Sequence, residues 1–245
     1  MSFTQTKIKI IVTGTGRCGT LYISKLLSFC NIFCGHETIF DYSSWNQILQ
    51  RIYNNEELKL SKIAKEHYGD YLKDNIVIGD SSYMAMPYLD MNIFNECFFI
   101  HLIRNPINVI NSFCHNMNYF YDDPYSNLDE FNKKYLNFIY KHVPDIKKYK
   151  NPYERAAYFY LYWNEQIESK LKNKNKIKIK IEEIGQKKDL ENFLNFKIPE
   201  DFLMLKNNNN EKKENINKFK IKYIKNKKIK EDLISFCEKN EYNFI

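Results

Sequence analysis

A chain of 245 residues, 44% of them apolar, can bury a full hydrophobic core and is read as one α/β domain spanning 1–245, with insertions near 42–75 and 116–150. The net charge of +7 suits anionic ligands, but lysine, asparagine, isoleucine and tyrosine are all frequent, as AT-rich coding produces whatever the function, so the basic balance does not argue for nucleic acid. The N-terminus has no apolar stretch behind a basic start, so neither a secretory signal nor a membrane anchor is expected, and the chain is read as cytoplasmic or as a domain of a longer protein.

Ile8 to Thr13 is short and β-branched, as a buried parallel strand is, and Leu21, Ile23, Leu26, Leu27 and Cys30 follow at helical spacing. Between them lies Gly14-Thr-Gly16-Arg17-Cys18-Gly19-Thr20. A glycine-rich turn between strand and helix brings backbone N–H groups and the positive helix N-terminus onto one anion, and Arg17 adds a guanidinium fork. Three loops share these letters. Gly14-x-x-x-x-Gly19 has the glycine spacing of a nucleotide triphosphatase loop, yet Thr20 stands where its Lys belongs. Gly14-x-Gly16-x-x-Gly19, with Glu37 downstream, fits a dinucleotide fingerprint. The third loop serves a nucleotide with a phosphate-linked sulfate, with Arg17 as the cation and the Thr20 hydroxyl on the 5′-phosphate.

Asn31 to Thr38 carries His36 and Glu37, and Tyr42 to Asn75 is helical in pattern, with Leu58, Ile63, Ala64 and Leu72 as apolar positions. Ile76 to Gly79 is a second short strand, ending in Asp80-Ser81-Ser82. Cys97 to Ile103 is almost wholly apolar and reads as a central strand, which places Arg104 at a strand's carboxyl end, where open parallel sheets bind ligands. Asn105 as cap and Pro106 at the first helical position start a helix whose buried stripe is Val109, Ile110 and Phe113. Ser112 lies about two turns along, roughly 10 Å, within reach of an Arg104 side chain folded along the helix.

Residues 116–150 are aromatic and polar, broken by Pro124 and Pro144; Tyr119, Phe120, Tyr121 and Tyr125 are acceptor-site candidates or the packing of a long connection. Glu154 leads into a long helix with Tyr158, Leu161, Tyr162 and Trp163. Lys176 to Ile184 alternates as an edge strand does, and a short helix follows from Asp189 to Asn195. Asn207 to Asn210 marks an exposed loop, and Ile216 to Phe236 reads as a helix with a broad lysine face. The six cysteines form no C-x-x-C pair and are read as free thiols in a reducing compartment; Cys30, Cys34 and His36 lack the second pair a zinc site needs, so no metal is expected.

The two phosphate-binding segments together resemble the sulfotransferases that use 3′-phosphoadenosine-5′-phosphosulfate (PAPS). Thr15-Gly-Arg-Cys-Gly-Thr20 resembles their 5′-phosphosulfate loop, and Arg104 with Ser112 has the spacing of their 3′-phosphate motif. The resemblance implies a three-layer P-loop-like α/β fold with a central, mainly parallel sheet. It implies PAPS as donor and adenosine 3′,5′-bisphosphate (PAP) as product, bound by Gly16, Arg17, Cys18, Gly19, Thr20, Leu21, Tyr22, Arg104 and Ser112. Cys18 stands where the family commonly has Ser and Leu21 where many members have a second Thr, which shifts the binding towards backbone N–H groups. Tyr22 falls where some members place an aromatic against adenine, and is also a candidate for the core.

The segment ending in Glu37-Thr38 is similar to one in tyrosylprotein and carbohydrate sulfotransferases in which a Glu before Thr is the catalytic base. This implies Glu37 as base and His36 as its alternative, with Asp41 and Asp80 as further candidates, and Arg17 neutralising charge on the departing phosphate. The partner implied is a hydroxyl-bearing acceptor, a sugar, tyrosine or small alcohol, with no nucleic acid and no membrane. An NAD(P)-dependent oxidoreductase stays open at this point, although Tyr223-x-x-x-Lys227 lies in the lysine-rich tail, as does a non-catalytic nucleotide-binding protein.

Overall fold

The computed structural model describes residues 7–54, 63, 66–69, 77–122, 128–185, 188–200, 202 and 219–243. The strands are β1 (Lys7–Gly14), β2 (Phe33–His36), β3 (Val77–Ser81), β4 (Phe98–Ile103) and β5 (Lys176–Lys180). They form one sheet in the order β2-β3-β1-β4-β5, with every neighbouring pair parallel. The helices are α1 (Thr20–Phe29), α2 (Tyr42–Tyr53), α3 (Pro106–Asn111), α4 (Glu130–His142), α5 (Pro152–Lys170), α6 (Asp189–Leu194) and α7 (Lys227–Lys239).

The two apolar runs take the middle of the sheet. Successive strand residues face opposite sides, so the complete burial of Ile11 with Val12 in β1, and of Phe99 with Ile100 in β4, means that both faces are covered. On the face of Ile10, Val12, Ile100 and Leu102, α1 packs through Ile23, Leu26 and Leu27, and α6 through Leu190. β5 is an edge strand that alternates in exposure, as its sequence does. It stops at Lys180, short of Ile184, because Ile181–Glu183 close into a 3₁₀ turn spanned by the Lys180–Glu183 ion pair at 3.0 Å. β2, at the other edge, pairs among the described residues only with β3 and is too short and too mixed in composition to stand out in the sequence.

Two compact units divide the chain, one within 1–103 and 167–210 and the other within 104–166 and 211–245. The first holds the sheet. The second is helical and aromatic. Its core joins Phe113 to Phe159 at 5.2 Å between ring centroids, Phe120 to Phe159 at 5.8 Å and Phe138 to Trp163 at 6.1 Å. Tyr119 and Phe120, candidates for an acceptor pocket, are 3% and 0% exposed, so their rings belong to this core, whereas Tyr121 is exposed. Arg155 ties the same segment down, donating to the Phe120 carbonyl at 2.7 Å, to Asp122 at 2.7 Å and to the Tyr149 carbonyl.

The C-terminal helix begins at Lys227, later than the Ile216 expected. Asn226 caps it by accepting from the Ile229 N–H at 3.1 Å, and Glu154 holds the Lys225 and Asn226 N–H groups at 2.7 and 2.8 Å, so the preceding segment is fixed outside the helix. Leu58, Ala64, Leu72, Pro124, Tyr125, Asn207 to Asn210 and Ile216 lie outside the described residues. All six cysteines carry free thiols, and burial pushes those of Cys97, Cys114 and Cys237 up to about 12. Among the described residues no helix is long and apolar enough to cross a membrane.

Candidate functional site

The glycine-rich loop leaves β1 at Gly14 and enters α1 at Thr20. Its turn is closed by the Cys18 N–H donating to the Thr15 carbonyl at 3.3 Å, and Arg17 stands exposed at its tip in the left-handed conformation, φ +66°. Gly19 is the N-cap of α1 at φ +102°, a conformation that favours glycine, and a Cβ there would lie 2.8 Å from the Ile181 side chain, which would have to shift. A glycine cap supplies no side-chain acceptor, and the first turn of α1 has no acidic residue. Its leading N–H groups therefore meet no carboxylate from the helix's own first turn.

The loop's side chains do not all face the same way. Cys18 is fully buried in the cluster with Ile10, Val12 and Leu102, so any contact it makes with a ligand comes from its backbone. Leu21 is half-exposed. Tyr22 packs its ring on Phe202 at 5.3 Å, as a core aromatic does, and burial raises its phenol above the ordinary range.

The carboxyl ends of β2 and β3 converge on this loop. Thr20 Oγ1 is 3.1 Å from His36 Nε2, and Ser81 Oγ donates to the Thr20 carbonyl at 2.8 Å. Glu37 follows His36 in the left-handed conformation, φ +51°, and its N–H donates to the Ser81 carbonyl at 3.1 Å. Glu37 is partly exposed, consistent with a carboxylate at the mouth of the sheet. Burial, with Lys25 nearby, lowers the pKa of His36 below the imidazole value of 6.5, so its ring is neutral at neutral pH.

Asp80 and Asp41, the further candidates for a base, have structural roles. Asp80 is wholly buried and accepts from the Thr38 and Phe40 N–H groups at 3.1 and 3.2 Å and from the Tyr68 hydroxyl at 3.1 Å. Burial raises its pKa against the lowering effect of those donors. Asp41 caps the start of α2, its Oδ1 accepting from the Ser43 and Ser44 N–H groups at 2.6 Å each. Sequence reasoning listed Asp80 only as a further candidate base and did not bring Ser81 or Tyr68 into the site. The Asp-Ser-Ser run at a strand end was the available signal for Ser81, and nothing local marked Tyr68.

In the second unit, Arg104 follows β4 directly and is partly exposed, with its carbonyl accepting from the Tyr160 hydroxyl at 2.6 Å. Asn105 caps α3 through the Ile107 N–H at 2.9 Å, and Pro106 occupies the first turn, both as expected. At Ser112 the helix widens into a π-helical turn over Ser112–Asn116, and the Asn116 amide donates to Ser112 Oγ at 3.4 Å. Such turns recur at functional positions because they re-aim side chains on one face.

No protein-family model and no curated protein matches the chain. Among solved structures it is similar to a sulfotransferase domain from the curacin biosynthetic pathway, with a TM-score of 0.57 and 14% identity over 98% of this chain and 99% of that one. With its five-stranded parallel sheet flanked by helices, the chain has a sulfotransferase-like α/β fold.

Proposed function

We propose that the chain is a sulfotransferase that uses PAPS to sulfate an acceptor hydroxyl. The observation that carries this reading is the double role of Ser81, which hydrogen-bonds Thr20 at the end of the glycine-rich loop and Glu37 beyond β2, bringing anion-binding loop and carboxylate to one strand end. The donor supplies an activated sulfuryl group. Gly16, Arg17, Cys18, Gly19, Thr20, Leu21 and Tyr22 form the loop and first turn around the donor, whose phosphosulfate end is held by the N–H groups not already used within the turn, the Arg17 guanidinium and the Thr20 hydroxyl. Arg104 and Ser112 hold the 3′-phosphate, a role supported by their likeness to the family motif and by the π turn at Ser112.

Glu37 takes the acceptor's proton as the acceptor oxygen attacks, and Arg17 offsets the charge that builds on the departing phosphate. The neutral His36 ring, bonded to Thr20, orients that hydroxyl and is the alternative base. The acceptor class is a sugar, tyrosine or small-alcohol hydroxyl. The test is sulfate transfer from radiolabelled PAPS to panels of these acceptors. Transfer to one class supports the reading. PAP binding without transfer to any class points to a nucleotide-binding protein, and preferential NAD binding to the oxidoreductase alternative.

A further inference from the structure

Three residues of the segment after β2, Glu37, Thr38 and Phe40, are gripped by the consecutive residues Asp80, Ser81 and Ser82 at the end of β3. The Glu37 N–H donates to the Ser81 carbonyl, the Thr38 and Phe40 N–H groups reach the two oxygens of Asp80, and Ser82 Oγ donates to the Phe40 carbonyl at 2.9 Å. Tyr68 adds its hydroxyl to Asp80 Oδ1 and shares it with the Gly79 carbonyl at 3.2 Å. Gly35 leaves the room for this cluster, since a Cβ there would lie 2.5 Å from Tyr68 Oη, 2.6 Å from Thr38 Oγ1 and 2.9 Å from Asp80 Oδ1.

A carboxylate buried this deeply is costly unless its oxygens are matched by donors, and here the matching donors are the backbone of the segment that carries Glu37. Glu37 itself stands in a left-handed conformation that a glutamate holds only where its surroundings over-determine it. We infer that Asp80 is a positioning residue: by holding the 38–40 backbone it fixes the turn at Glu37 and aims the Glu37 carboxylate. The inference rests on the reading of Glu37 as base.

The test uses Asp80→Asn in the full chain. Its amide accepts on one side only and turns an N–H₂ towards a backbone N–H, so the grip on one of the two amides is lost. The expected result is faster hydrogen exchange at Thr38 or Phe40, a fall in kcat of about 10–10²-fold with the acceptor found above, and a PAP Kd within about twofold of the parent. Tyr68→Phe keeps its edge contact with the Phe33 ring and removes one donor from the carboxylate; it should shift exchange and kcat in the same direction by less, and it answers the question if Asp80→Asn does not fold. Unchanged exchange in the variants overturns the inference, and so does faster exchange with an unchanged kcat. Full turnover by Glu37→Gln sinks the base assignment instead, and is read separately from the exchange data.

Discussion

The Thr20 hydroxyl lies 3.1 Å from Nε2 of His36, so the first residue of α1 and the last residue of β2 are joined across 16 positions of sequence. Folding buries this imidazole and holds its pKa below the ordinary value of 6.5. The unfolded chain therefore binds a proton at a pH where the folded chain does not. Stability is at its full value above pH 6.5 and falls as the pH drops from there through the lowered pKa. Urea unfolding between about pH 5 and 8 should show this slope, and His36→Gln should flatten it. An identical slope in the variant would remove His36 as its source.

PAP should raise the melting temperature, because a ligand of the folded state alone stabilises it, and NAD or ATP at equal concentration should do so much less. Arg104→Ala should strongly reduce the PAP shift. A preference for NAD, or an undiminished shift in the variant, would remove the 3′-phosphate assignment.

Glu37→Gln keeps the side-chain shape and loses the base, so turnover should fall by roughly 10²–10⁴-fold while PAP affinity stays nearly constant. His36→Asn should cost less, through Thr20, whose partner it changes. If the two effects are reversed in steady-state assays, His36 is the base.

Arg17 and chelation should behave oppositely. In the proposed reaction a guanidinium at the loop tip takes the part that a metal ion and Lys share in phosphoryl transfer, so activity should survive EDTA and collapse in Arg17→Ala. Arg17→Lys should recover part of it, since a point charge cannot reproduce the bidentate fork. Activity that vanishes with EDTA and returns with Mg²⁺ would favour a kinase-like enzyme.

The frame of this molecule was legible in local pattern. The β-branched run before Gly14, the apolar run before Arg104, the Asn105-Pro106 helix start and the alternation after Lys176 all specify their elements through neighbouring residues, and each element formed close to where the pattern put it. The glycine spacing likewise placed the loop between a strand and a helix, and Gly19 adopts the left-handed conformation that the turn demands.

What the sequence by itself determined is thus the set of central strands, the loop and the helix starts, because hydrophobic period, caps and glycine conformations act over a few residues. The tertiary structure decided the rest. β2 exists because β3 offers it an edge, and Cys18 faces the core because Leu102 and Val12 lie beneath it. Tyr119 and Phe120 are buried by Phe113, Tyr140 and Phe159. The hydrogen bonds of Asp80 to the Thr38 and Phe40 backbone were invisible in the sequence, since these residues lie about 40 positions earlier in the chain and come within hydrogen-bond distance only once the strands pair.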